Sequence, residues 1–294
     1  MQLDDLWGSL AQDLLPIFRS YRTHLRTLDI RTKADNTLLT EADLTIERLI
    51  VERIHETQPG AVIVAEEDGM ITQRHEILTS PELIWVIDPI DGTAEFVRPG
   101  HVEFCAVVCL LRHLRPAAAF ILAPELGRGM QPLMITADAS RQEVAINGRR
   151  YDKIQSADHS RRASVTRSSG SSPRAFEHEM RAAAYNLKTR TTSQTLDMVR
   201  TAVDIDDLTA GGYEPFSLFY RADQKVWDGL AGLCLGETVG LRAVGPTGQD
   251  RVPVEIETLS LPEPTFDATI MGTPKEVEWF LEITRHQDNT PAVS

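Results

Sequence analysis

A layered α/β protein is the fold this sequence predicts, and three observations predict it. Helix-period and strand-period segments alternate through both halves of the chain. The 294 residues, 42% hydrophobic and 25% charged, have ordinary globular composition and exceed one typical domain. No internal repeat or low-complexity block interrupts the alternation. The expected division falls near residue 160. It gives an N-terminal α+β half, 1–160, holding most of the acidic candidates below, and a C-terminal α/β half, 161–294.

Leu3, Leu6, Leu10, Leu14 and Ile17 recur at helical spacing, so an amphipathic helix is expected first, kinked or shortened at Pro16. A polar loop from Arg31 to Asn36 precedes a second helix with Ile46, Leu49, Ile50 and Ile54 on one stripe, stopping near Gln58-Pro59-Gly60. Ala61 to Ala65 is a short β-branched run read as a strand, leading into Glu66-Glu67-Asp68-Gly69. Ile84 to Ile87 is a second, leading into Asp88. Phe104 to Leu111 and Ala117 to Leu122 read as longer neighbouring strands joined by a basic turn at Arg112 to Arg115.

From Gly127 to Ser172 the pattern weakens into short β-like pieces among polar, Arg- and Ser-rich turns, read as surface loops or a linker. Helices near 174–186 and 195–203 then alternate with strand-like pieces at 188–192, 216–220 and 267–271. A helix is expected to begin near Asp228 and another to run from 274 to 285, before a frayed polar tail.

The formal net charge of −13 disfavours polymeric nucleic acid and anionic membranes as partners. A small anionic substrate would need local cations, and bound metal ions are the obvious source. The first residues show no basic region followed by an apolar run, and the apolar stretches stay below the ~20 residues of a membrane span. Cys105, Cys109 and Cys234 have no metal-ligand spacing, and Cys105 and Cys109 would share one strand face as buried thiols. A cytoplasmic, reduced protein is the expectation.

Acidic residues recur at strand ends and helix starts: Asp43, Glu66 with Glu67, Asp88 with Asp91, and Asp228. Around Asp88-Pro89-Ile90-Asp91-Gly92-Thr93 the proline fixes a turn and Gly92 can take positive φ. Two carboxylates three residues apart on such a turn, with the Ile90 carbonyl, can converge on hard cations. Thr93 would start a helix whose free amides and dipole cradle a phosphate. Singly, each feature is more often bland: Asp43 and Asp228 as helix N-caps, Glu66-Glu67-Asp68-Gly69 as a solvated loop, Asp91-Gly92 as a turn. A calcium loop lacks its ligand alternation here, and no phosphate-binding Gly-x-x-x-x-Gly-Lys-Ser/Thr loop exists.

Together, Lys33 to Asp43, Val62 to Asp68, Trp85 to Phe96 and Val226 to Gly240 resemble the inositol monophosphatase superfamily of magnesium-dependent, lithium-sensitive phosphatases. The resemblance implies an αβαβα sandwich and a phosphomonoesterase acting on a small phosphorylated metabolite. It implies two Mg2+ ions, three at most: one held by Glu66, Asp88 and the Ile90 carbonyl, a second by Asp88, Asp91 and Asp228. Gly92 and Thr93 would contact phosphate, and Asp43 with Thr93 would orient and deprotonate the attacking water, with Glu66 beside them. Glu67 would stand behind these ligands or partner the third ion, and Trp227 would pack beneath Asp228. Lys33 and Asp35 would lie on a loop closing over the site.

Ala94-Glu95-Phe96 and Val165-Thr166-Arg167-Ser168 are similar to the 3'(2'),5'-bisphosphate nucleotidase branch, with Arg167 as a contact for a second phosphate. The 3'-phosphate of adenosine 3',5'-bisphosphate is then the leading substrate. Inositol, sugar or nucleoside monophosphates, including those of a specialised biosynthetic pathway, are the alternative. Ser193-Gln194-Thr195-Leu196-Asp197 departs from the branch pattern, and Asp197 would repel a second phosphate if it faced the pocket. That departure also motivates a non-catalytic, phospholigand-binding relative as a rival from another class. A homodimer is one expectation from the resemblance, though no stretch of sequence locates its interface.

Overall fold

The computed structural model describes residues 3–33, 37–67, 82–153, 161–167 and 171–288; the expectations at Asp35, Asp68, Gly69, Ser168 and in the tail lie outside them. Helix α1 (Leu3–Thr23) runs through Pro16 without ending there. The helical bond Pro16 cannot make would go to the Gln12 carbonyl. Both residues face solvent, where water can satisfy that carbonyl, while Leu10, Leu14 and Phe18 are buried on the opposite stripe. A hairpin of β1 (Ile30–Thr32) and β2 (Leu38–Thr40) feeds α2 (Glu41–Thr57).

Seven strands form the large sheet: β3 (Val62–Ala65), β4 (Leu83–Asp91), β5 (Cys105–Arg112), β6 (Arg115–Gly127), β7 (Gln131–Asp138), β8 (Glu143–Ile146) and β9 (Arg149–Arg150), in that order. Only β3 and β4 pair in parallel. From Gln131 to Arg150 the weak pattern after Gly127 is therefore sheet rather than linker: β7 alternates buried and half-buried residues, which a window tuned to apolar runs misses. A single helical turn, α3 (Thr93–Phe96), follows β4.

The second sheet has the order β11 (Asn186–Arg190), β10 (Arg162–Arg167), β12 (Leu218–Lys225), β14 (Thr265–Gly272), β13 (Arg242–Val244). Between its strands run α4 (Ala175–Ala182), α5 (Gln194–Ala202), α6 (Val226–Thr238) and α7 (Ile256–Leu259), and α8 (Pro274–Asp288) closes the chain.

Strand alternation sorts the core into layers. Trp85 and Ile87 of β4 pack with α1 and α2, while Ile84 and Val86 face the other way, against α5 and α6. Cys105 and Cys109 share that second face as buried free thiols. Phe219 and Met271 bring the small sheet onto the far side of α5 and α6, and its other face packs on Phe176, Met180, Val277 and Phe280 of α4 and α8. The result is an αβαβα sandwich. Helix α6, buried nearly throughout, is the middle helix layer, and that is why its sequence is apolar all round.

Candidate active site

Asp88 and Asp91 both lie on β4, and the pairing of that strand explains how they meet. Residues three apart on a regular strand point to opposite faces. Here Asp88 pairs with Val107 and Asp91 with Cys105, so three steps on β4 match two on β5, and the extra residue is a β-bulge at Pro89-Ile90. Parity reverses, and both carboxylates turn the same way. Asp228 arrives from the first turn of α6. Carboxylate oxygens of Asp88, Asp91 and Asp228 all lie within 4.8 Å of one another, and all three residues are buried.

Their charge is poorly compensated by protein groups. Asp88 is 1% exposed, and its Oδ1 is buried with no hydrogen-bond partner. Burial, then the Glu66, Asp228 and Asp91 charges, raises its pKa well above the ordinary 3.8. Burial and the Asp91 charge do the same to Asp228. Burial pushes Asp91 up to about 6, against hydrogen bonds from Ser193, Thr195 and Gln194 that favour the ionised form. Three buried carboxylates, one of them with a partnerless oxygen, fit a hard divalent cation, which would neutralise them.

Glu66 follows β3 directly and hydrogen-bonds the Asp88 side chain. The Lys33 ammonium lies 2.8 Å from Glu66 and 2.7 Å from Glu67, tying the segment after β1 to the cluster. The Glu67 amide donates to Glu47 at 2.8 Å. Burial and the Glu66 charge push the Glu67 carboxyl up to about 8 despite Lys33.

The opposite flank is built by α2 and α3. Thr40 is the N-cap of α2, and Asp43 completes its capping box three residues on: Thr40 N and Oγ1 donate to Asp43 Oδ2 at 2.8 and 2.6 Å. Asp43 is therefore not the N-cap. Nor is Asp228, because α6 starts at Val226. The second Asp43 oxygen lies 3.3 Å from Thr93 Oγ1, which is also 3.0 Å from the Ile90 carbonyl. Burial raises the Asp43 pKa to about 6, against the two Thr40 bonds.

Gly92 has φ +94°, and a Cβ there would sit 2.8 Å from the Glu103 carbonyl oxygen. Because α3 has only four residues, an anion beside Thr93 would meet local amides rather than the dipole of a long helix. Arg22 of α1 pins this segment from below, donating to the Phe96 and His101 carbonyls at 2.5 and 2.9 Å while forking onto Glu125.

The departure at 193–197 proves to be part of the site. Ser193 caps α5 and donates to Asp91 at 2.7 Å; the Thr195 amide adds 2.6 Å to the same oxygen. Gln194 Nε2 donates to Asp228 at 2.6 Å, so Gln194 aims that carboxylate, while Trp227 is buried in the core with the Lys225 ammonium 5.9 Å from its ring. Asp197 is bound by Lys188 at 2.6 Å and Ser164 at 2.7 Å, a buried and matched charge rather than a repulsive one. Arg167 is held by both oxygens of the buried Glu177 on α4, at 2.8 and 2.9 Å, and among the described residues no bond brings it to the acidic cluster. Thr40, Ser193 and Gln194 were missed. The Thr-x-x-Asp capping signal was legible, but which acid Ser193 would touch was not.

A model of the inositol monophosphatase family matches residues 7–275. Over 126 residues the chain is 35% identical to the 3'(2'),5'-bisphosphate nucleotidase CysQ of Aggregatibacter actinomycetemcomitans, covering 40% of this chain and 45% of that protein. The match therefore spans less than half of that relative's length. Similarity to the Nus factor SuhB of Xylella fastidiosa is 28% over 216 residues, 74% of this chain and 72% of SuhB. The fold matches an IMPase/NADP phosphatase complexed with Mg2+ and phosphate at a TM-score of 0.71 and 17% identity, covering 96% of this chain and 94% of the other.

Proposed function

This chain belongs to the inositol monophosphatase family, and on that premise we propose that it is a magnesium-dependent phosphomonoesterase acting on a small phosphorylated metabolite. The observation that carries the reading is the partnerless buried Asp88 oxygen within a cluster of three carboxylates, beside the Asp43–Thr93 pair. Asp88, Asp91, Asp228 and Glu66 would hold two ions, with Glu67 beside a third. Bound divalent ions supply Lewis-acid activation of water and neutralise phosphoryl oxygens.

The chain's own residues do the rest. Thr93 Oγ1, near both Asp43 and the Ile90 carbonyl, orients the attacking water, and Asp43 takes its proton. With a pKa near 6, Asp43 is ionised at pH 8 yet basic enough to accept that proton. Gly92, at φ +94° and packed against the Glu103 carbonyl, makes the turn that presents the following backbone to the phosphate.

The substrate reading is the 3'-phosphate of adenosine 3',5'-bisphosphate. Similarity to a bisphosphate nucleotidase supports it, and the Lys188–Asp197 pair removes the charge objection to a second phosphate. Among the described residues no helix is long and apolar enough to cross a membrane. The test is phosphate release from adenosine bisphosphate, inositol phosphates and sugar phosphates, with magnesium. Loss of release in Asp91→Asn is the expected result. Unchanged magnesium-dependent release in that variant overturns the assignment, and ligand binding with no turnover on any substrate would favour a non-catalytic relative.

A further inference from the structure

Most buried or half-buried arginines in this acidic protein are paired: Arg22 with Glu125, Arg53 with Asp13, Arg167 with Glu177, Arg251 with Asp267. Two half-buried ones are not: Arg221, within reach of the Asp228 and Asp91 charges, and Arg174, within reach of Arg221. Among the described residues Arg221, on β12, makes one side-chain hydrogen bond, from Nη1 to Thr191 Oγ1 at 3.0 Å, and its Nε is buried without a partner. Arg174, just before α4, lies with its guanidinium 4.8 Å from the centre of the Tyr220 ring, and its Nη1 is likewise buried and partnerless. No salt bridge to either side chain is present among the described residues.

The two are close enough for their charges to repel, and Arg221 also senses Asp228 and Asp91. Burial lowers the Arg221 pKa, against the pull of Asp228. Thr191, which receives Arg221, stands two residues before Ser193, the residue bonded to Asp91. Adjacent like charges with unmet buried donors are unfavourable as they stand, and an oxyanion would satisfy both.

We propose that Arg174 and Arg221 form a subsite for a second oxyanion of the substrate, so that the site selects phosphomonoesters bearing a further negative group over neutral polyol monophosphates. This rests on the phosphomonoesterase reading. It also moves the second-phosphate contact from Arg167, which Glu177 occupies, to a pair whose donors are unmet.

The experiment compares kcat/KM for adenosine 3',5'-bisphosphate and adenosine 3'-monophosphate with magnesium, in wild type and in Arg221→Gln, Arg221→Lys and Arg174→Gln. Wild type should prefer the bisphosphate, and the preference should fall about 10- to 100-fold in Arg221→Gln, mainly through KM, as expected for a lost charge-assisted contact. Arg221→Lys should recover part of it. If Arg221→Gln does not fold, Arg174→Gln carries the same comparison. Absence of any preference in wild type, or equal losses on both substrates, overturns the subsite. Should wild type release phosphate from neither nucleotide, the nucleotide-substrate reading fails, and the phosphomonoesterase reading fails only if inositol and sugar phosphates are also left intact; calorimetric titration with each nucleotide still decides the subsite. Tighter bisphosphate binding that Arg221→Gln abolishes supports it; equal affinities refute it.

Discussion

Replacing Asp88 with asparagine should stabilise the metal-free protein while removing its response to magnesium. Asp88 is 1% exposed and faces Glu66, Asp228 and Asp91. Its neighbour Asp91 sets the scale: a carboxyl moved from 3.8 to about 6 makes the ionised folded form less favourable by about 3 kcal/mol, at 1.36 kcal/mol per unit. Asp88 lacks the Ser193, Gln194 and Thr195 bonds that offset part of this for Asp91, and its Oδ1 has no partner to lose. Asparagine keeps the volume, removes the charge and offers N–H donors to Glu66 and Asp228. A gain of about 1–3 kcal/mol in EDTA at pH 8 is expected, or roughly 2–10 °C in Tm for a chain of this size.

The pH dependence follows from the direction of the shifts. A carboxyl whose folded pKa is raised binds more protons folded than unfolded, so its contribution is full in acid and is lost as pH rises through the folded value. The advantage of the variant should therefore shrink towards pH 5. At magnesium near 100 times its Kd the wild type should recover about 2.7 kcal/mol, and Asp88→Asn little of it. Differential scanning fluorimetry in EDTA and in magnesium at both pH values reads all four states. A variant less stable than wild type in EDTA at pH 8, or an equal magnesium response in both, refutes the reasoning.

Gly92→Ala must place a Cβ 2.8 Å from a carbonyl oxygen at φ +94°, so a loss of about 2–4 kcal/mol is expected in urea denaturation, and one under about 1 kcal/mol contradicts the strain. Lys33→Met removes the ammonium between Glu66 and Glu67 and should lower metal-free stability at pH 8 by about 1–3 kcal/mol, with magnesium narrowing the gap; a gap that magnesium leaves unchanged counts against Lys33 as the internal counter-ion. Thr40→Val breaks the capping box, at about 1 kcal/mol of stability. Because the Thr40 bonds lower the Asp43 pKa from a value burial would set still higher, the acidic limb of the activity profile should also move up from near pH 6. A limb that stays put argues against Asp43 as the base.

Much of the site was legible because its acids are local punctuation. Asp88 and Asp91 flank a proline in a short stretch, Glu66 ends a β-branched run, and Asp228 opens an apolar helix; strand and turn chemistry alone puts Glu66, Asp91 and Asp228 at element ends, whereas β4 carries on past Asp88 to Asp91. The alternation that predicts the sandwich is equally local, since a period of two or of about 3.6 is written in neighbouring residues. Boundaries were less legible where packing overrode propensity. Helix α1 continues through Pro16 because the unbonded carbonyl faces water, and β7 to β9 extend the large sheet through a stretch that reads as loop.

What the tertiary structure decided is which groups face which. That Ser193, Gln194 and Thr195 hold Asp91 and Asp228 depends on contacts more than thirty residues apart in sequence, as does the match of Lys33 to Glu66 and Glu67. The ion pairs of Arg167 and Asp197 have the same origin: a charged side chain near a site by sequence pairs with an opposite charge that the fold brings to it, here Glu177 and Lys188. The sequence determined the set of carboxylates and the layered frame, because both are short-range patterns. Only the fold determined their charge balance, because burial and Coulomb interactions depend on distance through space rather than along the chain.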